Sequence, residues 1–270
     1  MTLSIEELKE KAKNVKIIFF DIDDTLRLKD QQFMPESVKE VFARLKEKNI
    51  PTGIATGRAL PGVVEEVKNL HPDYYVSING QYVISNDEEE IYSNHFPQEP
   101  MVQMIESLKE QNSEYIFVGS HSLAASNWNK TAEDAMTVVY GKIDEDVNFH
   151  ENHRVYQMLT ISPDADSLFI PEELKKNFRL VKWHKSSNDI IPLAGSKANG
   201  IQKVLDKLNL TPEEVLVFGD ELNDVEMFKF AGIAIAMGNA HEHLKELADF
   251  VTKPVEEDGI LFALETLGVI

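Results

Sequence analysis

Apolar residues recur along this chain in two patterns, and their alternation predicts an α/β protein. Short unbroken apolar runs, as in residues 15–21, indicate strands buried on both faces, because polar and apolar residues do not alternate within them. Apolar residues at helical spacing, as in residues 35–48, predict amphipathic helices between those strands. Strands and helices that alternate in this way predict a doubly wound, Rossmann-like parallel sheet.

The predicted elements divide the chain into three parts. The first part has strands at 15–21, 50–55 and 74–78, and helices at 6–13, 35–48 and 60–70. In the second part, a hairpin at 81–94 and a helix at 97–111 interrupt the alternation of strands and helices, and the pattern stays irregular to about Trp183. In the third part, the alternation resumes with helices at 197–208, 223–230, 241–247 and 257–267, and with strands at 215–218, 233–236 and 249–252. We therefore predict a core domain formed by residues 1–83 and 188–270, with residues 84–187 inserted into it.

Acidic side chains follow the first strand directly. Asp21 and Asp23 lie at its carboxyl end, which is where open α/β sheets bind their ligands. Two carboxylates in one pocket repel each other unless a cation, a proton or a partner separates them, and Mg2+ prefers oxygen ligands. One carboxylate could act as nucleophile and the other as proton donor. The alternative is a solvated acidic loop, whereas a calcium loop of the EF-hand type fails because Thr25, Leu26 and Gln32 occupy its key positions.

Two further strands end in residues suited to binding anions and cations. Thr56 and Gly57 follow the second strand, and the hydroxyl and the exposed backbone N–H groups there could bind an anion, although a helix cap alone would explain them. Asp220, Asn223 and Asp224 follow the strand at 215–218, where helix capping explains one acid but not the whole group.

Lys197 opens a predicted helix, where its charge opposes the helix macrodipole. We expect neighbouring carboxylates or a phosphate to hold it there, and a solvated surface lysine is the alternative.

Composition narrows the classes of function. The 270 residues contain no cysteine, which excludes a cysteine nucleophile and a thiolate zinc site and fits a reducing compartment. The formal net charge of -19 makes nucleic acid and anionic membranes poor partners, so a phosphorylated substrate would need a locally positive site. The N-terminus lacks an apolar signal core, and no run is long enough to span a bilayer, so we expect a cytoplasmic protein.

Taken together, these segments resemble the four motifs of haloacid dehalogenase-like phosphatases. The order and the strand-end positions match for Asp21-x-Asp23-x-Thr25, Thr56-Gly57-Arg58, Lys197 and Gly219-Asp220-x-x-Asn223-Asp224. The Cof-type subfamily of sugar-phosphate phosphatases is similar in three further segments: Asn79-Gly80, Ala236-Met237-Gly238-Asn239-Ala240 and Glu257-Asp258-Gly259-Ile260. The resemblance covers residues 15–83 and 188–270, while residues 84–187 resemble the family's α/β cap in position and length alone. Glu221 and Gln81 depart from the family pattern.

The resemblance implies a mechanism and a role for each motif residue. Asp21 would be the nucleophile that forms an aspartyl-phosphate, and Asp23 the general acid and then the base. Mg2+ would be held by the Asp21 carboxylate, the Asp23 backbone carbonyl and Asp220. Asp224 would orient Lys197 or a metal-bound water, and Thr25 would support the site. The phosphoryl group would be bound by Ile22, Thr56, Gly57, Lys197 and Asn223.

The partner implied is a small phosphorylated metabolite, acted on by a monomer, with a weak dimer as the alternative. Three other functions stay open: a phosphomutase on the same scaffold, which would need a bisphosphate activator, a phospho-acceptor signalling protein of the receiver type, and a binding protein that has lost catalysis.

Overall fold

The computed structural model describes residues 3–270, apart from the side chain of Trp183. The strands are β1 (Ile17–Phe20), β2 (Thr52–Ala55), β3 (Tyr74–Ser77), β4 (Tyr82–Ser85), β5 (Glu90–Ser93), β6 (Glu114–Val118), β7 (Leu123–Ala125), β8 (Gln157–Ile161), β9 (Phe178–His184), β10 (Ser187–Pro192), β11 (Val215–Gly219), β12 (Ile233–Ala236) and β13 (Phe250–Val251). The α-helices are α1 (Ile5–Ala12), α2 (Glu36–Glu47), α3 (Glu65–Lys68), α4 (Gln98–Glu110), α5 (Lys130–Tyr140), α6 (Phe149–Asn152), α7 (Lys197–Leu208), α8 (Val225–Phe230), α9 (Glu242–Leu247) and α10 (Gly259–Thr266).

The larger sheet has the strand order β13-β12-β11-β1-β2-β3-β4-β5. Its strands from β13 to β3 pair in parallel, and β4 returns antiparallel to β3. Strand β1 lies between β11 and β2, with Phe20 paired to Phe218 on one side and to Ile54 on the other. The predicted parallel α/β core is therefore confirmed, and the carboxyl ends of β11, β1 and β2 lie side by side.

Burial of every residue explains why the central strands of the larger sheet appear in the sequence as unbroken apolar runs. All four residues of β1 are buried, as are those of β2, β11 and β12. Helix α2 buries Val38, Val41, Phe42 and Leu45, the stripe that helical spacing predicts. Gly53 lies against the buried ring of Phe19, and a Cβ there would be 2.2 Å from a ring carbon. Phe42 of α2 also packs on Phe20 of β1, with the ring centroids 5.1 Å apart, so the helix covers the sheet with an apolar face that the sequence already contains.

The smaller sheet has the strand order β7-β6-β8-β10-β9, and its neighbours are antiparallel. Helix α4 packs Met101, Met104, Ile105 and Leu108 into the core beside this sheet. Phe96 and Phe178 meet in that core with their ring centroids 4.6 Å apart. The inserted region thus has an apolar core of its own.

Two compact units result, and their bounds differ from those predicted. One unit contains residues 3–57, 64–92 and 196–270, and the other contains residues 58–63 and 93–195. The hairpin strands β4 and β5 continue the larger sheet, which moves the first boundary from 83/84 to 92/93. Strand β10 completes the smaller sheet, which moves the second boundary from 187/188 to 195/196.

The predicted helix at 60–70 is wrong in its first half. Residues Leu60–Gly62 form a 3-10 turn, Val63 and Val64 are extended, and the α-helix is limited to Glu65–Lys68. Pro61 and Gly62 lie inside the predicted helix, where both are poor helix formers. Residues 58–63 instead pack within the second unit, where the Ala59 N–H donates to the Tyr140 hydroxyl over 3.2 Å.

Within the described chain, no helix combines the length and apolar character that a bilayer-spanning segment needs.

Candidate active site

The candidate site lies at the carboxyl ends of three neighbouring strands. Asp21 follows β1, and its N–H donates to the Phe218 carbonyl of β11 over 3.1 Å. Thr56 follows β2, and its N–H donates to the Val76 carbonyl of β3 over 2.9 Å. Asp220 follows β11. Parallel pairing therefore brings three of the predicted residues to one edge of the sheet, although they are far apart along the chain.

A buried lysine links two of the acids. The Lys197 side chain is 0% exposed, and its Nζ donates to Asp21 Oδ1 over 2.8 Å and to Asp224 Oδ1 over 2.6 Å. Ser196 caps the helix that Lys197 opens, since its side chain accepts from the Asn199 N–H. Carboxylates thus hold Lys197 at an unfavourable helix end, and a solvated surface lysine is excluded.

Negative charge exceeds positive charge in this cluster. Asp21, Asp220 and Asp224 each contribute a carboxylate oxygen, and these oxygens all lie within 4.8 Å of one another. Burial, followed by the charges of Asp224 and Asp23, raises the pKa of Asp21 to about 7, although Lys197 opposes the shift. Burial and the charges of Asp21 and Asp224 also raise the pKa of Asp220 well above its usual value. Desolvation thus penalises the charged carboxylates, and a further cation would relieve this penalty.

Lys197 remains a cation in this environment. Burial by itself would lower its pKa, but the charges and hydrogen bonds of Asp21 and Asp224 raise the pKa above the usual value. Three carboxyl groups and one ammonium make an oxygen-rich pocket, which is the donor chemistry that Mg2+ prefers.

Asp224 supports the site through hydrogen bonds to both of its carboxylate oxygens. Its Oδ1 accepts from Lys197, while its Oδ2 accepts from the N–H groups of Asp220 (3.0 Å) and Glu221 (3.1 Å). A Cβ on Gly219 would lie 2.5 Å from Asp224 Oδ2, so the strand end needs a glycine. Both oxygens of Asp224 are therefore engaged by protein donors, whereas in the described residues one carboxylate oxygen of Asp21 accepts from Lys197 and one of Asp220 accepts from Thr25.

Thr25 and Ile22 are buried in the segment after β1. The Thr25 hydroxyl donates to Asp220 Oδ1 over 2.6 Å, and so joins the first and fourth motifs. The Ile22 carbonyl accepts from the N–H groups of Leu26 (3.0 Å) and Arg27 (3.1 Å), which closes a tight turn. Asp23 lies in this turn and is half-buried, and its carboxylate is not among the three that cluster.

Gly57, Asn79 and Asn223 lie close to one another. The Asn79 N–H donates to the Thr56 carbonyl over 2.9 Å, and Asn223 Nδ2 donates to Asn79 Oδ1 over 3.2 Å. A Cβ on Gly57 would lie 3.3 Å from Asn79 Oδ1 and 3.7 Å from Asn223 Nδ2. From the sequence, Asn79-Gly80 is only a feature that resembles the subfamily, and Asn79 is not among the predicted site residues. Its position directly after β3 was the signal that could have identified it.

Comparison with known proteins identifies the family of this chain. A family model described as haloacid dehalogenase-like hydrolase matches residues 18–264. A protein of Bacillus subtilis named as a phosphatase, YkrA, is 36% identical over 266 residues, which cover 94% of this chain and 98% of that protein.

Two further matches extend the comparison. A Streptococcus pyogenes protein named as a bifunctional phosphatase and peptidyl-prolyl cis-trans isomerase is 48% identical over 98% of this chain, which spans only 56% of that longer protein. A solved structure of a subclass IIB sugar phosphatase of the haloacid dehalogenase superfamily is 30% identical, with a TM-score of 0.80, over 95% of this chain and 100% of that one.

Proposed function

Because the chain belongs to the haloacid dehalogenase-like hydrolases, we propose that it is a Mg2+-dependent phosphatase of small sugar phosphates that works through an aspartyl-phosphate. One observation carries the proposal: a fully buried lysine holds Asp21 at the end of the central strand, beside Asp220. A carboxylate in such a position can act as a nucleophile, since the lysine fixes its orientation and offsets the charge of an approaching phosphate.

The reaction proceeds in two displacements. Asp21 attacks phosphorus, the bond from phosphorus to the ester oxygen breaks, and Asp23 gives its proton to the leaving alkoxide. Asp23 then takes a proton from water, the water oxygen attacks phosphorus, and the acyl phosphate bond breaks to release phosphate and Asp21. The half-buried state of Asp23 supports this role, because an acid that exchanges protons with substrate and water needs access to both.

Donors around the transferring group stabilise its charge. Lys197 is the buried cation, and the Thr56 hydroxyl, the Asn223 amide and the N–H groups of Gly57 and Ile22 are the neutral donors. Positioning and electrostatic stabilisation account for most of the catalysis of phosphoryl transfer, so a rigid set of donors is the feature to expect.

The metal would be held by Asp21 and Asp220 together with the Asp23 backbone carbonyl. Asp224 is better suited to support than to ligation, because Lys197 and two backbone N–H groups already engage its oxygens. Bound there, the ion supplies concentrated positive charge that offsets the phosphoryl oxygens.

A panel of phosphorylated metabolites tests the proposal. With Mg2+ present, we expect phosphate release from sugar phosphates that exceeds release from nucleotides and phosphoamino acids. Treatment with EDTA should abolish release and added Mg2+ should restore it, and a rate unchanged by chelation would contradict the proposal. A phosphomutase would instead require a bisphosphate activator, and a receiver-type protein would keep its phosphoryl group far longer than the seconds expected for a phosphatase.

Substrate choice is the role we propose for the second unit. Every proposed catalytic group belongs to the first unit, and the second unit has a separate sheet and core. Residues 58–63 pack with residues 93–195, so both segments should be exchanged together for those of a family relative with a different substrate preference. We expect the ranking of kcat/KM across the panel to follow the exchanged unit. A chimera that folds and keeps the original ranking would assign specificity to the first unit.

A further inference from the structure

A strained turn follows β3 at the edge of the site. Ile78, Asn79 and Gly80 have consecutive positive φ values of 52°, 51° and 83°. A β-branched residue such as Ile78 rarely adopts this conformation, and strain of this kind persists only where the surroundings impose it. The Thr56 carbonyl accepts the Asn79 N–H, and Gln81 Nε2 donates to the Asn79 carbonyl over 3.3 Å.

Close packing against α7 imposes the rest of this geometry. A Cβ on Gly80 would lie 2.1 Å from the Ser196 carbonyl oxygen, and a Cβ on Gly200 would lie 2.8 Å from Gly80 Cα. The turn is therefore wedged against the first turn of the helix that carries Lys197. Residues 78–80 therefore contact the end of β2, the start of α7 and the segment that carries Asn223.

The side chain of Asn79 presents an unused donor inside the site. It is 6% exposed, and its Oδ1 accepts from Asn223, which directs the Asn79 amide so that its Nδ2 faces away from that bond. Among the described residues the structure records no hydrogen bond for Asn79 Nδ2, which lies 3.4 Å from the position of a Cβ on Gly57. Asn79 Nδ2 is not among the fully buried polar atoms that lack a partner in the described residues, so solvent or a ligand can reach it and supply the acceptor.

We propose that Asn79 is a further phosphate-binding residue, whose Nδ2 donates to a phosphoryl oxygen beside the Gly57 N–H. This inference rests on the proposed function, because it assigns one more donor to the same site. Asn79 has two tasks: its carbonyl oxygen positions Asn223, and its amino group binds the ligand. The pair of side-chain amides, Asn79 and Asn223, thus extends the set of donors beyond the sequence motifs.

Two substitutions separate these tasks. Asn79→Gly removes both the donor and the acceptor of the amide and tolerates the positive φ, so the turn can still form. Asn79→Asp keeps an acceptor for Asn223 but replaces the donor with an anion. Asn209 provides a matched control, because it has a φ of 54° at the exposed C-terminal end of α7.

Binding of inorganic phosphate in the presence of Mg2+, measured by calorimetry, gives the readout. A lost hydrogen bond to a charged acceptor predicts about 10- to 100-fold weaker binding for Asn79→Gly. Asn79→Asp should bind at least as weakly, with KM for a sugar phosphate raised by a similar factor, while Asn209→Gly should match the wild type.

Three results would overturn the inference. Phosphate binding by Asn79→Asp within about twofold of the wild type would mean that Asn79 only positions Asn223. Wild-type phosphatase activity combined with unchanged binding by both Asn79 variants would reject this inference and leave the proposed function intact. A wild-type protein that neither binds nor releases phosphate would reject both.

Discussion

Replacing Asp21 with asparagine is expected to abolish both the phospho-enzyme and turnover. An amide is a poor nucleophile, and removal of a catalytic nucleophile lowers kcat by about 10^4-fold or more. The fold should survive, because asparagine Oδ1 can still accept from Lys197, which donates to Asp21 over 2.8 Å. The change also removes one of three buried carboxylates, so the metal-free variant should be no less stable than the wild type.

Asp23→Asn is the matched comparison for this experiment. If Asp23 is the proton donor, its loss should matter less for an aryl phosphate with a good leaving group, because such a group leaves without protonation. Intact-mass measurement should therefore detect phospho-enzyme in Asp23→Asn treated with an activated aryl phosphate, and none in Asp21→Asn. Equal labelling of the two variants would refute the assignment of Asp21 as nucleophile.

Replacing Lys197 with methionine should produce the largest loss of stability. Both Lys197 and Asp224 are 0% exposed, so the substitution leaves a buried carboxylate without its cation. Removing one partner of a buried ion pair lowers the free energy of unfolding by about 3–5 kcal/mol. We expect a lower midpoint of chemical denaturation and no detectable phosphate release.

Lys203→Met controls for the change of residue type on the same helix. Its side chain is 41% exposed and lies 3.9 Å from Asp206, and an exposed pair of this kind contributes about 0–1 kcal/mol. A second comparison, Lys197→Met combined with Asp224→Asn, should recover part of the lost stability because it removes the uncompensated charge. Equal denaturation midpoints for Lys197→Met and Lys203→Met would show that the buried cluster does not contribute to stability as argued.

Local pattern was sufficient to predict the elements of the parallel core. Strands β1, β11 and β12 are buried on both faces, so nearly every residue in them is apolar and a short window reveals them. Helix α7 spans the predicted residues 197–208, because its apolar stripe and its serine cap are both local signals. Pro61 and Gly62 are poor helix formers inside the helix predicted at 60–70, and the first half of that prediction was wrong.

Parallel topology then allowed part of the site to be predicted. Residues at the carboxyl ends of neighbouring parallel strands must lie at one edge, so the meeting of Asp21, Thr56 and Asp220 follows once the order of the strands is assumed. The resemblance to a phosphatase family added roles for these residues, and the comparisons confirm the family. The roles of the individual side chains stay predictions.

The sequence by itself thus determined the class of the fold, the strand-end positions of the acids and the need for a cation, a proton or a partner to separate their charges. Only the tertiary structure decided which side chains meet: Lys197 with Asp21 across 176 positions of the chain, and Asn223 with Asn79 across 144. It also decided that residues 58–63 pack with the inserted unit. The physical reason is that hydrophobic periodicity reports which face of an element is buried, whereas contacts between distant polar side chains depend on how the finished elements pack.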